Sequence, residues 1–357
     1  MSARIIHVAS AREWRGGQNQ VRLLCQALER SGSVEQVVVT GRGSELASRL
    51  RDAQVPMHEA GWSTALDPRV LVALLSEIRR APSLLHAHDA HALVLAGVAA
   101  RLTGSRLVVT RRVDFHLRRP GFWARADRVI AISDAVRGIL LRDGIPPDQV
   151  VVVHSGIDPS EVRAAVPSGI RASLGLAPNL PLVVNVAALV PHKDQMTLLA
   201  AANQLRSVRP DLQWIIAGDG PLGPDLRRRA EVLGLTDHVH FVGQVANPWG
   251  LIRDADVFVM SSREEGLGTS ILDAMALGVP VVATRAGGIP EMLDQGAGLL
   301  VNVGDAMGLA HGVASVLNDA DFRSRVQKLA TERLERFTDR TMADGVLSVY
   351  RSILPNG

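Results

Sequence analysis

The chain has 357 residues, of which 47% are hydrophobic and 21% are charged. This composition excludes a disordered chain, and the length exceeds an ordinary single domain and suits two. The one cysteine, Cys25, excludes an intramolecular disulfide framework and a zinc site built from cysteines. The first residues are expected to enter a strand rather than a signal peptide, and no apolar run approaches the ~20 residues that span a bilayer. A cytoplasmic protein is therefore expected.

The net charge of +3 is unevenly placed along the chain. Residues 1–166 carry 22 basic and 16 acidic side chains, whereas residues 167–357 carry 17 and 20. A basic N-terminal half suits a phosphorylated acceptor or peripheral contact with the anionic inner membrane face, although scattered solvated arginines explain it equally well. Nucleic acid is not expected as a partner, because aromatic residues make up only 3% and no recognition motif is present.

Strand and helix patterns alternate along the first half of the chain. The first aliphatic strand is predicted at 5–9, a Gly-Gly loop follows it, and 19–30 has the pattern of a helix. Further strands are predicted at 37–40, 84–87, 107–110, 128–132 and 150–153. Continuous aliphatic strands separated by helices predict an α/β fold with a doubly wound parallel sheet.

The segment 158–181 interrupts this alternation. It holds four prolines and two glycines, which is typical of an interdomain linker, and a short helix is expected inside it. The pattern then restarts, with strands predicted at 182–187, 214–217, 239–242, 257–260 and 280–283. We therefore expect an N-terminal domain over 1–165 and a second α/β domain over 166–340.

A glycine pair follows the first predicted strand. Gly16 and Gly17 would let backbone N–H groups approach an anion, and the start of the next helix adds partial positive charge. Paired glycines also occur in plain tight turns, so this loop alone does not establish a binding site.

An acidic, glycine-rich loop precedes a helix predicted over 269–277. The amides of Gly268, Thr269 and Ser270 are expected to point at an anion at the helix start. Glu265 lies on the loop and Asp273 lies one turn into the helix, so both carboxylates can face one cavity and accept hydrogen bonds from sugar or ribose hydroxyls. Acids that merely favour the helix dipole are the alternative, but the glycine spacing favours a binding site.

The stretch from Glu265 to Asp273 resembles the Glu-x7-Glu signature of the family 4 retaining glycosyltransferases of the GT-B fold. Other motifs of that family have counterparts here, in order, along nearly the whole chain. They are Gly16-Gly17, His86-Ala-His88, Ala131-Ile-Ser133, Ser155-Gly-Ile-Asp158, Leu189-Val-Pro-His-Lys193, Ala217-Gly-Asp-Gly-Pro221, Gly287-Gly-Ile-Pro-Glu291 and Tyr350-Arg351.

The resemblance implies two Rossmann-like, doubly wound parallel-sheet domains that face a central cleft. The first would bind the acceptor, the second would bind the nucleotide-sugar donor, and a C-terminal helix over 341–357 would pack back on the first. It also implies an enzyme that moves a sugar from a UDP- or GDP-sugar to a glycan, lipid-linked or small-molecule acceptor. Cell-envelope synthesis, such as that of lipopolysaccharide, is the expected setting.

The same resemblance assigns roles to individual residues. Lys193 would neutralise the donor diphosphate, Glu265 would hold the transferred sugar, and Asp273 would bind the ribose hydroxyls. Positive charge from Lys193 and from helix amides would stabilise the leaving diphosphate without a metal or cofactor, while the anomeric carbon becomes oxocarbenium-like. The other donor-binding candidates are Gly16, Gly17, Gly218, Gly220, Gln244, Gly266, Gly268, Thr269 and Ser270.

Three positions depart from the family pattern. Ala188 stands where an arginine is usual, and its substitutes would be Arg15, Arg111 or Arg112. Asp273 is one methylene shorter than the usual glutamate. Arg112 stands where the family often has a histidine, and because arginine is always charged it is expected to bind a phosphate or an acidic acceptor rather than act as a base. His116 is a candidate imidazole close by. The catalytic candidates are Glu265, Lys193, Arg112 and His116.

A histidine cluster invites a zinc site formed by His86, His88 and His91 with Asp89. Open metal sites need ligands fixed on a rigid element, and this stretch resembles an ordinary strand end of the family. No metal is therefore expected, and His88 is predicted to be a polar group on the acceptor side, together with Arg111.

The alternative function is a catalytically silent nucleotide-sugar-binding subunit. Ala188 and Arg112 favour it, whereas the intact Lys193 and Glu265 disfavour it. A GT-B epimerase would need additional acids and bases that the sequence does not offer.

The run 117–123 mixes cations with aromatic residues, which suits a membrane surface or, equally, a solvated loop.

Overall fold

The computed structural model describes residues 4–64, 67–117 and 119–354. The chain divides into two compact units, one formed by Met1–Gly156 with Phe337–Gly357 and the other by Ile157–Arg336. Arg118 of the run 117–123 and the last three residues of the expected C-terminal helix lie outside the described residues.

The first unit is built on a seven-stranded parallel sheet. Its strands lie in the order β3-β2-β1-β4-β5-β6-β7, so the direction of winding reverses between β1 and β4. In folds of this kind, ligands bind outside the carboxyl ends of the strands at such a reversal. The strands are β1 (Arg4–Ala9), β2 (Glu35–Gly41), β3 (Met57–Ala60), β4 (Ser83–Ala87), β5 (Leu107–Arg111), β6 (Arg128–Ala131) and β7 (Val150–Val152).

Five helices of the described residues connect these strands. Side chains at their N-termini accept hydrogen bonds from first-turn amides in four of them, as with Ser44, Asp67, Asp89 and Ser133. The helices are α1 (Gly16–Ser31), α2 (Glu45–Asp52), α3 (Pro68–Arg80), α4 (Ala90–Thr103) and α5 (Asp134–Arg142). Because helices cover the sheet, the residues of its aliphatic strands are almost all buried and do not alternate between buried and exposed positions.

The second unit repeats this plan on a six-stranded parallel sheet. The strands lie in the order β10-β9-β8-β11-β12-β13, and the winding reverses between β8 and β11. They are β8 (Leu182–Val186), β9 (Gln213–Ala217), β10 (Val239–Gly243), β11 (Val257–Met260), β12 (Val281–Thr284) and β13 (Leu299–Val301).

Nine helices of the described chain belong to this unit. A cluster of buried aliphatic residues between β8, β9, β11 and the helices α8, α9 and α13 forms its core. The helices are α6 (Pro159–Arg163), α7 (Ile170–Ser173), α8 (Gln195–Leu205), α9 (Gly223–Val232), α10 (Pro248–Arg253), α11 (Thr269–Ala276), α12 (Ile289–Leu293), α13 (Ala306–Asn318) and α14 (Ala320–Leu334).

The last helix, α15 (Asp339–Ile353), belongs to the first unit although it follows the second in the chain. It packs against α1, where the carboxylate of Asp339 forms an ion pair with Arg30. Tyr350 is only 1% exposed and joins the core of the N-terminal sheet. The chain passes tightly at Gly156, where an added Cβ would lie 2.2 Å from the carbonyl oxygen of Thr338.

The predicted alternation of parallel strands and helices is confirmed in both units. Strands β3 and β13 were missed, because β3 is only partly buried and polar and β13 is three residues long. The division of the chain falls at Gly156 and at Phe337, earlier than the expected 165/166 and 340/341. Helix α6 accounts for the first difference, because it packs on α11 and Arg163 donates to the carbonyl oxygen of Ala276 at 3.1 Å.

Cys25 is fully buried in α1, and burial raises the pKa of its thiol. Among the described residues, no helix combines the length and the apolarity that a membrane crossing requires.

The contact at Gly156 predicts a stability effect. Gly156→Ala should lower the free energy of unfolding by about 1–3 kcal/mol, because the new methyl group collides with backbone that cannot move without displacing α15. Gly138→Ala in α5 is the matched control, since its Cβ would lie 3.4 Å from the mobile end of Arg142 and alanine favours a helix. Urea denaturation measures both, and equal stability of the two variants would contradict the packing described for α15.

Candidate functional site

The reversal of winding in the second unit brings two loops together. Strands β8 and β11 are neighbours, with Val183 opposite Val257. The loop after β8 contains the 3-10 turn Pro191–Lys193, and the loop after β11 carries Glu265. Residues 72 positions apart in the sequence therefore meet at the carboxyl edge of the sheet.

Lys193 and Glu265 form an ion pair between Nζ and Oε2, and their side chains are 17% and 12% exposed. The hydroxyl of Ser262 donates to the same carboxylate oxygen at 3.3 Å. Each charge neutralises the other in a site that is largely removed from water. An incoming anion would compete with Glu265 for the ammonium group, which is the chemistry that a diphosphate site requires.

Backbone and side-chain contacts fix the two loops relative to each other. The hydroxyl of Ser261 donates to the carbonyl oxygen of Lys193 at 3.0 Å. The amide of Arg263 donates to the carbonyl oxygen of His192 at 2.7 Å, and its guanidinium pairs with Asp194 at 2.8 Å. Asp194 also accepts from the first turn of α8, so the lysine loop is anchored at both of its ends.

The loop after β12 closes over the backbone of Glu265. The amide of Gly288 donates to the carbonyl oxygen of Glu265 at 3.0 Å. Gly287 has a φ of +48°, and an added Cβ there would lie 1.8 Å from that same oxygen. Only glycine satisfies both conditions, so the Gly287-Gly288 pair holds Glu265 in position.

The loop after β9 approaches the lysine loop in the same way. Gly218 and Gly220 have φ angles of +139° and +158°, and added Cβ atoms would lie 1.9 and 2.4 Å from carbonyl oxygens of the loop after β8. The amide of Gly218 donates to the carbonyl oxygen of Gly243 at 2.8 Å. Gln244 directly follows Gly243 and is exposed. The predicted donor residues of this loop thus lie at one edge of the sheet.

Helix α11 begins at this edge without a side-chain cap. Gly268, with a φ of +92°, precedes the helix, and the first turn contains no acidic residue. Thr269 and Ser270 are partly exposed, whereas Gly266 is buried. Uncapped first-turn amides and the positive end of the helix dipole favour an anionic group at this position.

Asp273 has surroundings different from those of Glu265. Burial raises the pKa of Asp273 to about 7, the nearby indole of Trp249 in α10 acts to lower this pKa, and the like charge of Glu161 in α6 acts to raise it. The two predicted carboxylates therefore have different neighbours, Lys193 beside Glu265 and Trp249 beside Asp273.

Three imidazoles cluster at the reversal of winding in the first unit. His7 lies on β1, His86 on β4 and His88 directly after β4, and one nitrogen of each lies within 4.8 Å of the others. Five of the six ring nitrogens already have hydrogen-bond partners: His86 binds the hydroxyls of Tyr350 and Thr110 at 2.6 and 2.7 Å, and His88 uses both of its nitrogens.

The zinc site considered from the sequence contains the wrong set of residues. His91 is exposed on α4, and the carboxylate of Asp89 accepts from Ser10 and from the amide of Ala92 that begins this helix. The residue that joins the cluster in space is His7, because β1 and β4 are neighbouring strands. Burial, reinforced by the charge of Arg112, lowers the pKa of His7 to about 3.

Arg112 follows β5 and contacts this cluster. Its Nη1 donates to the carbonyl oxygen of His88 at 2.9 Å, and its Nη2 lies 3.2 Å from Nδ1 of the same residue. Burial lowers the pKa of Arg112 to about 10, so the guanidinium stays protonated at neutral pH. His88 was expected to face an acceptor, but it is 5% exposed and both of its nitrogens are engaged, so it supports Arg112 instead.

Arg111 and His116 are occupied by other groups. The guanidinium of Arg111 donates to the carbonyl oxygens of Val113 and Phe115 and thereby shapes its own loop. His116 is 68% exposed and pairs with Asp143 at 2.5 Å. Burial opposes the charge of Asp143, but hydrogen bonds from His116 and the Leu117 amide lower its pKa overall. None of the hydrogen bonds described for these two residues joins them to Arg112.

The glycine loop of the first unit also lies beside Arg112. Helix α1 begins at Gly16, has no acidic residue in its first turn, and an added Cβ at Gly17 would lie 3.9 Å from Cδ of Arg112. Arg15, a proposed substitute for the arginine missing at Ala188, pairs at the surface with Glu13 at 2.5 Å.

Three residues of these sites are not predicted from the sequence. His7 is a polar residue inside an aliphatic strand, and this contrast is a signal that predicts a buried polar contact. Trp249 is the second residue of α10 and follows an Asn-Pro pair, which predicts a helix start but no partner for the indole. Ser262 carries no local signal, because its role depends on the fold of the loop after β11.

Profiles of two protein families match this chain. The family described as "Glycosyl transferases group 1" matches residues 168–333, and "Glycosyltransferase Family 4" matches residues 14–161. Each match covers most of one structural unit.

Individual relatives agree with these matches. The lipopolysaccharide core biosynthesis glycosyltransferase LpsD of Rhizobium meliloti is 30% identical over 71% of this chain and 74% of its own length. The D-inositol 3-phosphate glycosyltransferase of Saccharomonospora viridis is 29% identical over 75% of this chain but only 64% of its own length. The crystal structure of Anabaena HepE with UDP-glucose shares the fold, with a TM-score of 0.85, 22% identity, and coverage of 98% of this chain and 100% of that one.

The chain therefore belongs to the group 1 and family 4 glycosyltransferases of the GT-B fold.

The environment of Asp273 predicts a pH dependence of stability. A carboxyl group whose pKa rises from 3.8 in the unfolded chain to about 7 in the folded protein makes folding less favourable as pH increases through that window. Asp273→Asn should therefore gain stability over wild type between pH 5 and pH 8. Asp225→Asn on the exposed face of α9 is the control. Thermal unfolding at both pH values measures the difference, and equal pH profiles for wild type and Asp273→Asn would contradict it.

Proposed function

We propose that this glycosyltransferase transfers a sugar from a UDP- or GDP-sugar to a glycan, lipid-linked or small-molecule acceptor, with retention and without a metal. Cell-envelope glycoconjugate synthesis is the proposed setting. The observation that carries the proposal is the ion pair of Lys193 and Glu265 at the reversal of winding in the second unit. A cation and a hydrogen-bond acceptor are the two groups that a diphosphate sugar needs there.

The ion pair suits an exchange of partners when the donor binds. The diphosphate would take the place of Glu265 at the Lys193 ammonium, and the released carboxylate would accept hydrogen bonds from sugar hydroxyls. The pair keeps both groups ordered in the free protein, so little rearrangement is required. The glycines at 287 and 288 hold the backbone of Glu265 fixed throughout.

Charge stabilisation would then drive the reaction. The bond between the anomeric carbon and the diphosphate breaks, and negative charge grows on the diphosphate oxygen. Lys193 and the uncapped amides at the start of α11 are placed to stabilise that charge. A contact of this kind is worth about 3–4 kcal/mol in the transition state. These groups supply the positive charge that a metal provides elsewhere, which supports a metal-independent reaction.

Retention requires that the acceptor attack the face from which the diphosphate leaves. The acceptor oxygen forms the new bond to the anomeric carbon, and its proton passes to the departing diphosphate oxygen. Atoms and charges balance without an oxidant, a reductant or a covalent intermediate. The resemblance of the sequence motifs to those of the family 4 retaining glycosyltransferases supports this stereochemistry.

The relatives support the choice of donor and acceptor classes. Anabaena HepE binds UDP-glucose, and a Corynebacterium glutamicum relative, 34% identical over 46% of both chains, uses GDP-mannose. The names of two relatives refer to D-inositol 3-phosphate and to lipopolysaccharide core biosynthesis. Asp273 and Trp249 are the proposed contacts for the ribose, and the turn that ends at Gln244 is the proposed contact for the base.

The donor assignment predicts selective binding of one nucleotide class. Among UDP, GDP, ADP and CDP, one should stabilise the wild type in a thermal-shift assay, by about 2.7 kcal/mol at 100 times its dissociation constant. Lys193→Ala should weaken that binding at least about tenfold, because it removes a charged contact to the diphosphate. Lys328→Ala replaces the other lysine of the chain, which is exposed on α14, and should bind normally. No response to any nucleotide at millimolar concentration would overturn the donor site.

Glu265 should affect transfer without being needed for nucleotide binding. Glu265→Gln removes the partner that competes for Lys193, so its affinity for the free nucleoside diphosphate should equal or exceed that of wild type. Turnover of the nucleotide sugar should fall at least 100-fold, because the sugar hydroxyls lose a charged acceptor. Glu264→Gln, at the exposed neighbouring position, is the control. Normal turnover by Glu265→Gln would contradict the assigned role.

The same assays separate the enzyme from the silent binding subunit. Wild-type protein that binds a nucleotide sugar but never releases its sugar, to water or to any acceptor, would be the silent subunit. Release of the nucleoside diphosphate that depends on Glu265 would establish the transferase.

A further inference from the structure

The guanidinium of Arg112 in the first unit differs from that of the buried Arg4 in its partners. Within residues 4–64, 67–117 and 119–354, no carboxylate lies within ion-pair distance of its guanidinium, whereas the buried Arg4 is paired with Glu77 at 2.7 Å. The carboxylate of Asp89 acts on Arg112 from farther away, and its oxygens are already used by Ser10 and the first turn of α4.

The partners of Arg112 are neutral. Arginine only donates hydrogen bonds, so Nδ1 of His88 must be the acceptor in the 3.2 Å contact with Nη2. Nε2 of His88 therefore carries its proton and donates to Nδ1 of His7 at 2.9 Å. The proton of His7 must then lie on Nε2, which is buried near the side chain of Gln36. Both imidazoles are uncharged in this arrangement.

These contacts orient the guanidinium but do not neutralise it. Nη1 and Nη2 are directed by His88, and Nε is buried without a hydrogen-bond partner. The residue as a whole remains partly exposed. A charge that is fixed, incompletely hydrated and unpaired is a site for an external anion.

Helix α1 adds positive potential at the same place. Gly17 in its first turn lies beside Arg112, and the absence of a side chain leaves its backbone open to approach. The first turn contains no acidic side chain that would offset the helix dipole. Arg112 and the α1 amides thus form one electropositive surface at the carboxyl edge of the N-terminal sheet.

We propose that Arg112, oriented by neutral His88, binds an oxyanion of the acceptor, so that this enzyme glycosylates an acceptor bearing a phosphate or carboxylate group. The inference rests on the proposed function, because it assigns the acceptor of that transfer. The guanidinium contacts the acceptor and sets its specificity, and His7 and His88 are positioning residues.

The experiment measures anion binding at Arg112 with the diphosphate site already filled. Isothermal titration in saturating nucleoside diphosphate, chosen from the nucleotide panel, would use inorganic phosphate, glucose 1-phosphate and glucuronate, with glucose as the uncharged probe. Wild type should bind at least one oxyanion more tightly than glucose. Arg112→Gln should weaken this binding at least about tenfold, and Arg112→Lys, which keeps the charge but loses the fork, should lie between them.

Two further arms define the source of the anion and the control. Sedimentation with vesicles of phosphatidylglycerol and phosphatidylcholine tests a lipid phosphate, and loss of this binding in Arg112→Gln would also support the inference. Arg101→Gln, at an exposed position on α4, should behave as wild type in every assay. The circular dichroism spectrum and the unfolding temperature of Arg112→Gln, compared with those of wild type, show that the variant is folded.

The outcomes separate this inference from the proposed function. Wild type that binds a nucleoside diphosphate but none of the anionic probes, or Arg112→Gln that binds them as wild type does, would overturn the acceptor assignment alone. Failure of the nucleotide to bind would overturn the proposed function itself.

Discussion

The reversal of strand order in each sheet is the constraint from which the two sites follow. Between β8 and β11, and between β1 and β4, consecutive connections leave the sheet on opposite faces, so the loops after those strands diverge and open a crevice. Polar groups that the sequence separates widely then share one edge. Lys193 and Glu265 meet in the second unit, and His7 and His88 meet in the first.

The cations at the two sheet edges, Lys193 and Arg112, have different partners. In the second unit the cation of Lys193 has a carboxylate partner that an incoming diphosphate can replace, so each charge of this pair compensates the other in the free protein. In the first unit Arg112 is oriented by a neutral imidazole and lacks such a partner among the described groups. This difference suits a donor site in which the carboxylate of Glu265 also binds the sugar. It equally suits an acceptor site in which the anion that pairs with Arg112 belongs to the ligand.

The fold could be predicted almost entirely from the sequence, because buried parallel strands are continuous aliphatic runs and their periodicity is local information. The resemblance to family 4 assigned Lys193 and Glu265 to one donor site, and each lies in a loop that follows a strand of the second unit. The role of His88 could not be predicted from the sequence, because it depends on which strand lies beside β4 and on an arginine 24 residues away. The partner of Asp273 was likewise hidden, because Trp249 reaches it from a different helix.

A crystal structure of the protein with the nucleoside diphosphate it binds is the most direct test of the donor site. The account predicts diphosphate oxygens within hydrogen-bond distance of Lys193 Nζ and of the first amides of α11, with the carboxylate of Glu265 turned away from the lysine. A nucleotide bound elsewhere, with the pair of Lys193 and Glu265 intact, would contradict it.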